Sequence, residues 1–210
     1  FNYLIKIEYD GTNFVGWQFQ KNGKSVQETI ENALGKFFNF KVKITGAGRT
    51  DKGVHAMCQC ANFLTKYKIK NKKKFLSSIN FFLRNHLVSI TDLKQKKKDF
   101  SSRFSAKERT YMYKIINRQG SLSINKNKAW HVKNKLDQKL LKKGAKILVG
   151  THNFSTFRAS TCSARSPIKK MNSVKVHKKG ENISITFKSK SFLQNQVRSM
   201  VGCLEYLSSG

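Results

Sequence analysis

The chain is short of acids. Asp and Glu together number 11 of 210 residues, against 42 Lys and Arg, for a net charge of +31. A two-metal nuclease needs convergent carboxylates, and Asp10, Asp51, Asp92 and Asp99 are spread along the chain with nothing to bring them together. Chelator sensitivity would reveal such an enzyme. Four cysteines, Cys58, Cys60, Cys162 and Cys203, include no C-x-x-C pair. Cys58 and Cys60 would share one face of a strand, but zinc would want tighter clustering with His, so they read as reduced thiols of a cytosolic protein. No apolar run approaches a membrane span, and no signal peptide is expected. No Gly-x-Ser-x-Gly elbow is present, and Gly46-x-Gly48 lacks the Gly-Lys-Ser/Thr of a phosphate loop. Proline occurs once. With abundant Lys, Asn, Ile and Phe, that marks a composition biased towards A/T-rich codons, which raises Lys without selection for binding.

The charge nevertheless has a functional reading, because a surplus this large attracts polyanions, nucleic acid first. The rest of the composition, 39% hydrophobic and 25% charged, is that of a globular chain with a real core. It begins at Phe1 without a Met, so a few leading residues are expected to be missing.

Periodicity predicts a strand over Tyr3–Tyr9, a turn at Asp10-Gly11, and a helix from a capping box at Ser25-Val-Gln-Glu28 to just before Asn39. A short strand over Val42–Thr45 follows, then a glycine-rich loop, Gly46 to Gly53, and an extended run over Val54–Leu64. Phe75, Ile79, Phe82 and Leu83 mark a second helix, and Val88–Leu93 a strand. That order is the split β-α-β arrangement of ferredoxin-like folds. The basic run Lys94–Lys98 reads equally as an RNA-contacting strip or a solvated linker. The second half offers a strand over Arg109–Asn117, a helix through Leu136 to Leu148 stopped by Gly150, a hairpin of Met171–His177 with Asn182–Lys188, and a helix over Phe192–Leu207. The expected fold is α+β: two ferredoxin-like (RRM-like) α/β-sandwich domains side by side, residues 1–103 and 104–210, with mixed or antiparallel sheets and a central active-site cleft. The second domain lacks the final strand that analogy with the first supplies.

Chemistry concentrates in Gly46-Ala-Gly-Arg-Thr-Asp-Lys-Gly-Val-His-Ala56. Glycines there permit tight geometry or close approach of a ligand. Arg49 and Lys52 beside Asp51 favour an ionised carboxylate, which can act as base, nucleophile or metal ligand, though not readily as an acid. An aspartate capping a turn is the structural alternative. His55, four residues on, could serve as an acid or as a hydrogen-bonded strand-end residue.

Gly48-Arg-Thr-Asp-Lys-Gly-Val-His-Ala56 resembles the signature of the tRNA pseudouridine synthase A family. So do Glu8-Tyr-Asp-Gly11, Gly16-Trp-Gln18 and Ser25-Val-Gln-Glu28 at the start, and Arg103-Phe-Ser-Ala106 with Arg109-Thr-Tyr-Met-Tyr113 in the middle. Asn153-Phe154 with Phe157-Arg158, and Phe192-Leu-Gln-Asn-Gln-Val-Arg-Ser-Met-Val-Gly202, extend the likeness over nearly the whole chain, in the family's order. Departures are Lys52, where Ala is commoner, and Gln194-Asn195, where His-His often stands. The resemblance implies isomerisation of uridine to pseudouridine on the 3′ side of the tRNA anticodon stem-loop, with base flipping and neither cofactor nor metal. It places the catalytic carboxylate on Asp51, the site arginine on Arg198 and the site tyrosine on Tyr111, which without it reads as a core strand aromatic. RNA contacts fall on Arg49, Lys52, His55, Arg109 and Arg158. It further implies a homodimer in the cytoplasm with tRNA as partner. The family continues past the late helix into a segment that walls the pocket, and that piece is expected to be missing. The rival reading is a non-catalytic RNA binder using RRM-like domains, with Tyr111, Tyr113 and the excess Lys as its surface. Such a binder would tolerate loss of Asp51.

Overall fold

A computed structural model describes all residues, Phe1–Gly210. The chain divides into two compact units, Phe1–Ala106 and Lys107–Gly210. Each is α+β.

The first unit runs β1 (Asn2–Tyr9), α1 (Val26–Phe38), β2 (Ile44–Gly46), β3 (Ala56–Leu64), α2 (Lys72–Leu83), β4 (Val88–Lys96) and the short α3 (Ser102–Ser105). Its antiparallel sheet has the order β2-β3-β1-β4. Tyr3, Ile5, Ile7 and Tyr9 alternate into the core, as a strand with one covered face must. They meet Val26, Ile30, Ala33 and Leu34 of α1 and Phe75, Ile79 and Leu83 of α2. Ser25 caps α1, its Oγ accepting the Glu28 amide at 3.2 Å, and Asn39 closes the helix in the left-handed region at φ 60°.

Phe75 sits at the aromatic centre of this core. Its ring is edge-on to Phe37 at 5.1 Å and stacked on Phe63 at 6.2 Å, and only 1% of the residue is exposed. Phe75→Ala leaves a cavity there and is expected to cost about 3–5 kcal/mol, read by urea denaturation.

The run Lys94–Lys98 is not a linker. β4 continues through Lys96, and Asn2 Nδ2 donates to the carbonyls of Lys97 (3.2 Å), Lys98 (3.2 Å) and Phe100 (2.8 Å). Asn2 is itself buried against Asn62, whose Nδ2 donates to Asn2 Oδ1 at 3.1 Å. These buried amides satisfy carbonyls that the sheet leaves unpaired.

The second unit runs β5 (Arg109–Asn117), β6 (Trp130–Val132), α4 (Gln138–Ile147), β7 (Gly150–Asn153), β8 (Ile168–Lys179), β9 (Asn182–Ser189) and α5 (Gln196–Ser209). Its mixed sheet has the order β6-β5-β9-β8-β7, with β6 parallel to β5. Tyr111, Tyr113 and Ile115 lie opposite Phe187, Ile185 and Ile183. The helices approach closely at Gly144, where a Cβ would stand 2.6 Å from Leu204 Cδ2. Two details depart from the sequence reading. β6 and β7 are short edge strands that periodicity does not reveal. The last helix starts at Gln196 rather than Phe192, because Gln196 Oε1 accepts the Leu193 amide at 2.8 Å and Asn195 turns through φ 61°. No helix is long and apolar enough to cross a membrane.

Candidate active site

The loop between β2 and β3 carries Arg49, Asp51, Lys52 and His55, and the turn after β1 holds it by main-chain contacts. Trp17 N donates to the Thr50 carbonyl at 3.0 Å, and Gly53 N to the Phe14 carbonyl at 3.3 Å. Val54 N donates back to the Asp51 carbonyl at 3.2 Å, a tight turn made possible by Gly53 at φ 77°. On the β3 side Ala47 N donates to Cys60 O at 2.7 Å and Gln59 Nε2 to Gly48 O at 2.8 Å. Tyr9 Oη and Thr50 Oγ1 share a hydrogen bond of 2.8 Å. The peptide groups on both sides of Asp51 are therefore fixed, and its side chain is half-buried at the end of that frame.

Three glycines let the two segments meet. A Cβ on Gly11 would lie 2.0 Å from the Val54 carbonyl oxygen. One on Gly16, already at φ 129°, would lie 2.8 Å from Thr50 O, and one on Gly46 2.6 Å from Trp17 Nε1. His55 Nδ1 stands 3.1 Å from the Gly11 amide, which donates to it, and 3.1 Å from Asp10 Oδ1. The imidazole thus pins the foot of the loop to the turn after β1. The sequence motifs contain Gly11, Gly16 and Trp17, but their part in positioning Asp51 emerges only when the segments are seen touching. Arg49 and Lys52 are exposed beside the carboxylate.

The other expected residues lie in the second unit. Tyr111 projects from β5 with its ring edge-on to Phe192, centroids 4.9 Å apart at 84°. Phe192 belongs to the turn that precedes α5, and Arg198 is exposed in the first turn of that helix. The same turn is clamped from the other side. Ala159 N donates to Gln194 O at 3.1 Å, Gln194 N to Cys162 Sγ at 3.4 Å, and Arg158 Nη2 to Cys162 O at 2.6 Å. Burial pushes the Cys162 thiol up, but the amides of Gln194 and Ala164 and the Arg158 guanidinium offset it, and the net shift is downward. Sequence reading gave Cys162 no part in this clamp, having only its lack of a nearby cysteine to go on. Arg109, at the start of β5, donates to the Lys190 carbonyl.

The eight residues thus form two groups, one per unit: Arg49, Asp51, Lys52 and His55 in the first, and Arg109, Tyr111, Arg158 and Arg198 in the second. No three His, Cys, Asp or Glu side chains come together as a metal-binding set. Cys58 and Cys60 lie on one strand, and burial, with Cys58 beside it, raises the Cys60 thiol.

The sequence pattern of the tRNA pseudouridine synthase family matches residues 5–122 and 145–210. A tRNA pseudouridine synthase A of Pelagibacter ubique is 52% identical over 208 residues, covering 99% of this chain and 85% of the relative. Those of Methylocella silvestris and Parvibaculum lavamentivorans are 45% and 41% identical, each over 99% of this chain and 84% of the relative. Matches of this extent in both units, spanning the Asp51 loop and the α5 turn alike, make the chain a member of the tRNA pseudouridine synthase family.

Proposed function

We propose that this chain isomerises uridine to pseudouridine in the anticodon stem-loop of tRNA, with Asp51 as the nucleophile. The observation that carries this reading is the main-chain clamp, which fixes the peptide groups flanking Asp51 and leaves the carboxylate half-buried at its tip. In the reaction the C1′–N1 bond breaks, the uracil turns, and a C1′–C5 bond forms. C5 then loses its proton and N1 gains one, so the product is an isomer and no electrons are exchanged. Asp51 attacks either C6 of the uracil or C1′ of the ribose. Arg198 supplies the guanidinium that the reaction needs to keep a carboxylate ionised and aimed. Tyr111 packs against the extruded uracil and assists removal of the C5 proton. Arg49 fills the space that the base leaves, offsetting a flipping cost of a few kcal/mol. Lys52, His55, Arg109 and Arg158 contact the RNA, which is recognised through shape and phosphates. The protein works as a homodimer in the cytoplasm.

The direct test is release of tritium from [5-³H]uridine-labelled, unmodified tRNA, with the product mapped by base-specific chemistry. Release from the anticodon arm supports the reading, and its absence with correctly folded protein rejects it. At a net charge of +31, tRNA binding is also expected to be strongly salt-dependent. Affinity should fall about tenfold or more between 50 and 200 mM salt, measured by filter binding. A flat response would reject phosphate-dominated recognition.

A further inference from the structure

We infer that the lysine-rich segment Lys66–Lys74 of the first unit is a second contact for the substrate RNA, holding its sugar-phosphate backbone far from Asp51. The inference rests on the reaction proposed above. Lys66-Tyr-Lys-Ile-Lys-Asn-Lys-Lys-Lys74 is two-thirds lysine and holds no acid, whereas Lys and Arg make up one residue in five of the whole chain. The cation density of the strip is about three times that of the whole chain. All six lysines are exposed. Three occupy the first turn of α2, which has no acidic residue there. Cations at that end oppose the helix dipole, and the end is capped by Asn71, whose Oδ1 accepts the Lys74 amide at 2.9 Å. Lys72 is paired with Asp92.

The strip is a shaped surface rather than a loose tail. Ile69 N donates to the Tyr3 hydroxyl at 2.8 Å, and Tyr67 N to Thr65 Oγ1 at 3.2 Å. Lys66 Nζ lies over the rings of Phe40 (5.5 Å) and Tyr67 (5.3 Å). Phe37, Phe38 and Phe75 floor a shallow groove with Lys68, Lys70 and Lys74 along it. Cations held along such a groove can follow a chain of phosphates.

Its position decides which part of the RNA it can meet. The Asp51 loop precedes β3 and the strip follows it, so the length of β3, nine residues, separates them. At about 3.3 Å per residue this is about 30 Å. A uridine at Asp51 lies out of reach of the strip, and only an RNA that extends well beyond the modified loop can touch both.

The test compares two full-chain variants of equal charge loss. One carries Lys66→Gln, Lys68→Gln, Lys70→Gln and Lys73→Gln. The control carries Lys139→Gln, Lys142→Gln, Lys143→Gln and Lys146→Gln on the exposed face of α4. Dissociation constants are measured over a range of salt for unmodified tRNA and for an isolated anticodon stem-loop hairpin. The strip variant is expected to bind tRNA about tenfold or more weakly, with a shallower salt dependence by roughly three in slope, and the hairpin within about twofold of the unaltered protein. The control should weaken both RNAs slightly and alike. The inference is overturned if the strip variant binds tRNA no more weakly than the control, or if tRNA and hairpin lose affinity equally. Failure of the unaltered protein to form pseudouridine would instead reject the proposed reaction.

Discussion

Asp51→Asn is expected to reduce pseudouridine formation by roughly a thousandfold or more, while tRNA affinity stays within about twofold. Asparagine has nearly the shape of aspartate, and the loop that carries it is fixed through the main chain of Thr50, Asp51 and Gly53. The frame therefore survives, and what disappears is the charge and the nucleophilic oxygen. The variant should release no tritium from labelled tRNA in a single-turnover assay, yet retain it on a filter as the unaltered protein does. A non-catalytic RNA binder would show the second result and have no turnover to lose. Near-normal turnover by Asp51→Asn would remove this residue from the chemistry altogether.

The second large effect is expected from a residue that never meets the substrate's reacting atoms. In Gly11→Ala the new methyl would sit 2.0 Å from Val54 O, 2.5 Å from Val54 C and 3.1 Å from Gly53 C. All three are backbone atoms of the Asp51 loop, so no side chain can swing aside. Either the turn after β1 or the loop must shift by an ångström or more. Misplacement on that scale costs about a hundredfold in rate, so kcat should fall by that order with a smaller change in KM. Thermal stability should fall as well, because Gly53 N and His55 Nδ1 lose their partners in the same turn. Gly202→Ala is the companion variant. A Cβ there meets nothing within 4 Å, and its position inside α5 favours alanine by about 0.5–1 kcal/mol. Turnover by Gly11→Ala within threefold of the unaltered protein would show that the close approach does not position Asp51.

The elements with strong periodicity were legible in the sequence. β1, β5 and the helices α1 and α2 bury one face each, so their patterns repeat over many residues. Ser25 announces α1 because its cap needs only the next three residues. β6 and β7 have three and four residues, too few for an alternation to stand out. The displaced start of α5 depends on Gln196 folding back onto Leu193, which a helical repeat through Phe192 conceals. The linker alternative for Lys94–Lys98 came from its polar side chains, while what anchors the run is the buried amide of Asn2 from the other end of the unit. The candidate site divides in the same way. The glycines around Asp51 signalled a tight loop, and Gly46 does lie against Trp17. What the glycines press against lies up to 43 residues away in sequence, as with Gly11 and Val54, and a local reading contains no trace of it.

The clamp around Asp51 joins mostly peptide groups, and the side chains it uses are those of Tyr9, Thr50, His55 and Gln59. Its geometry is consequently indifferent to most of the side chains it displays. Lys52 points to solvent from this frame and contributes no side-chain bond to it, so exchange for a smaller residue leaves the carboxylate where it is. Substrate preference can drift through such outward positions over evolutionary time, one substitution after another, without the reaction centre being rebuilt. Gly11 and Gly16 have no such latitude, since any larger residue there strikes the frame itself.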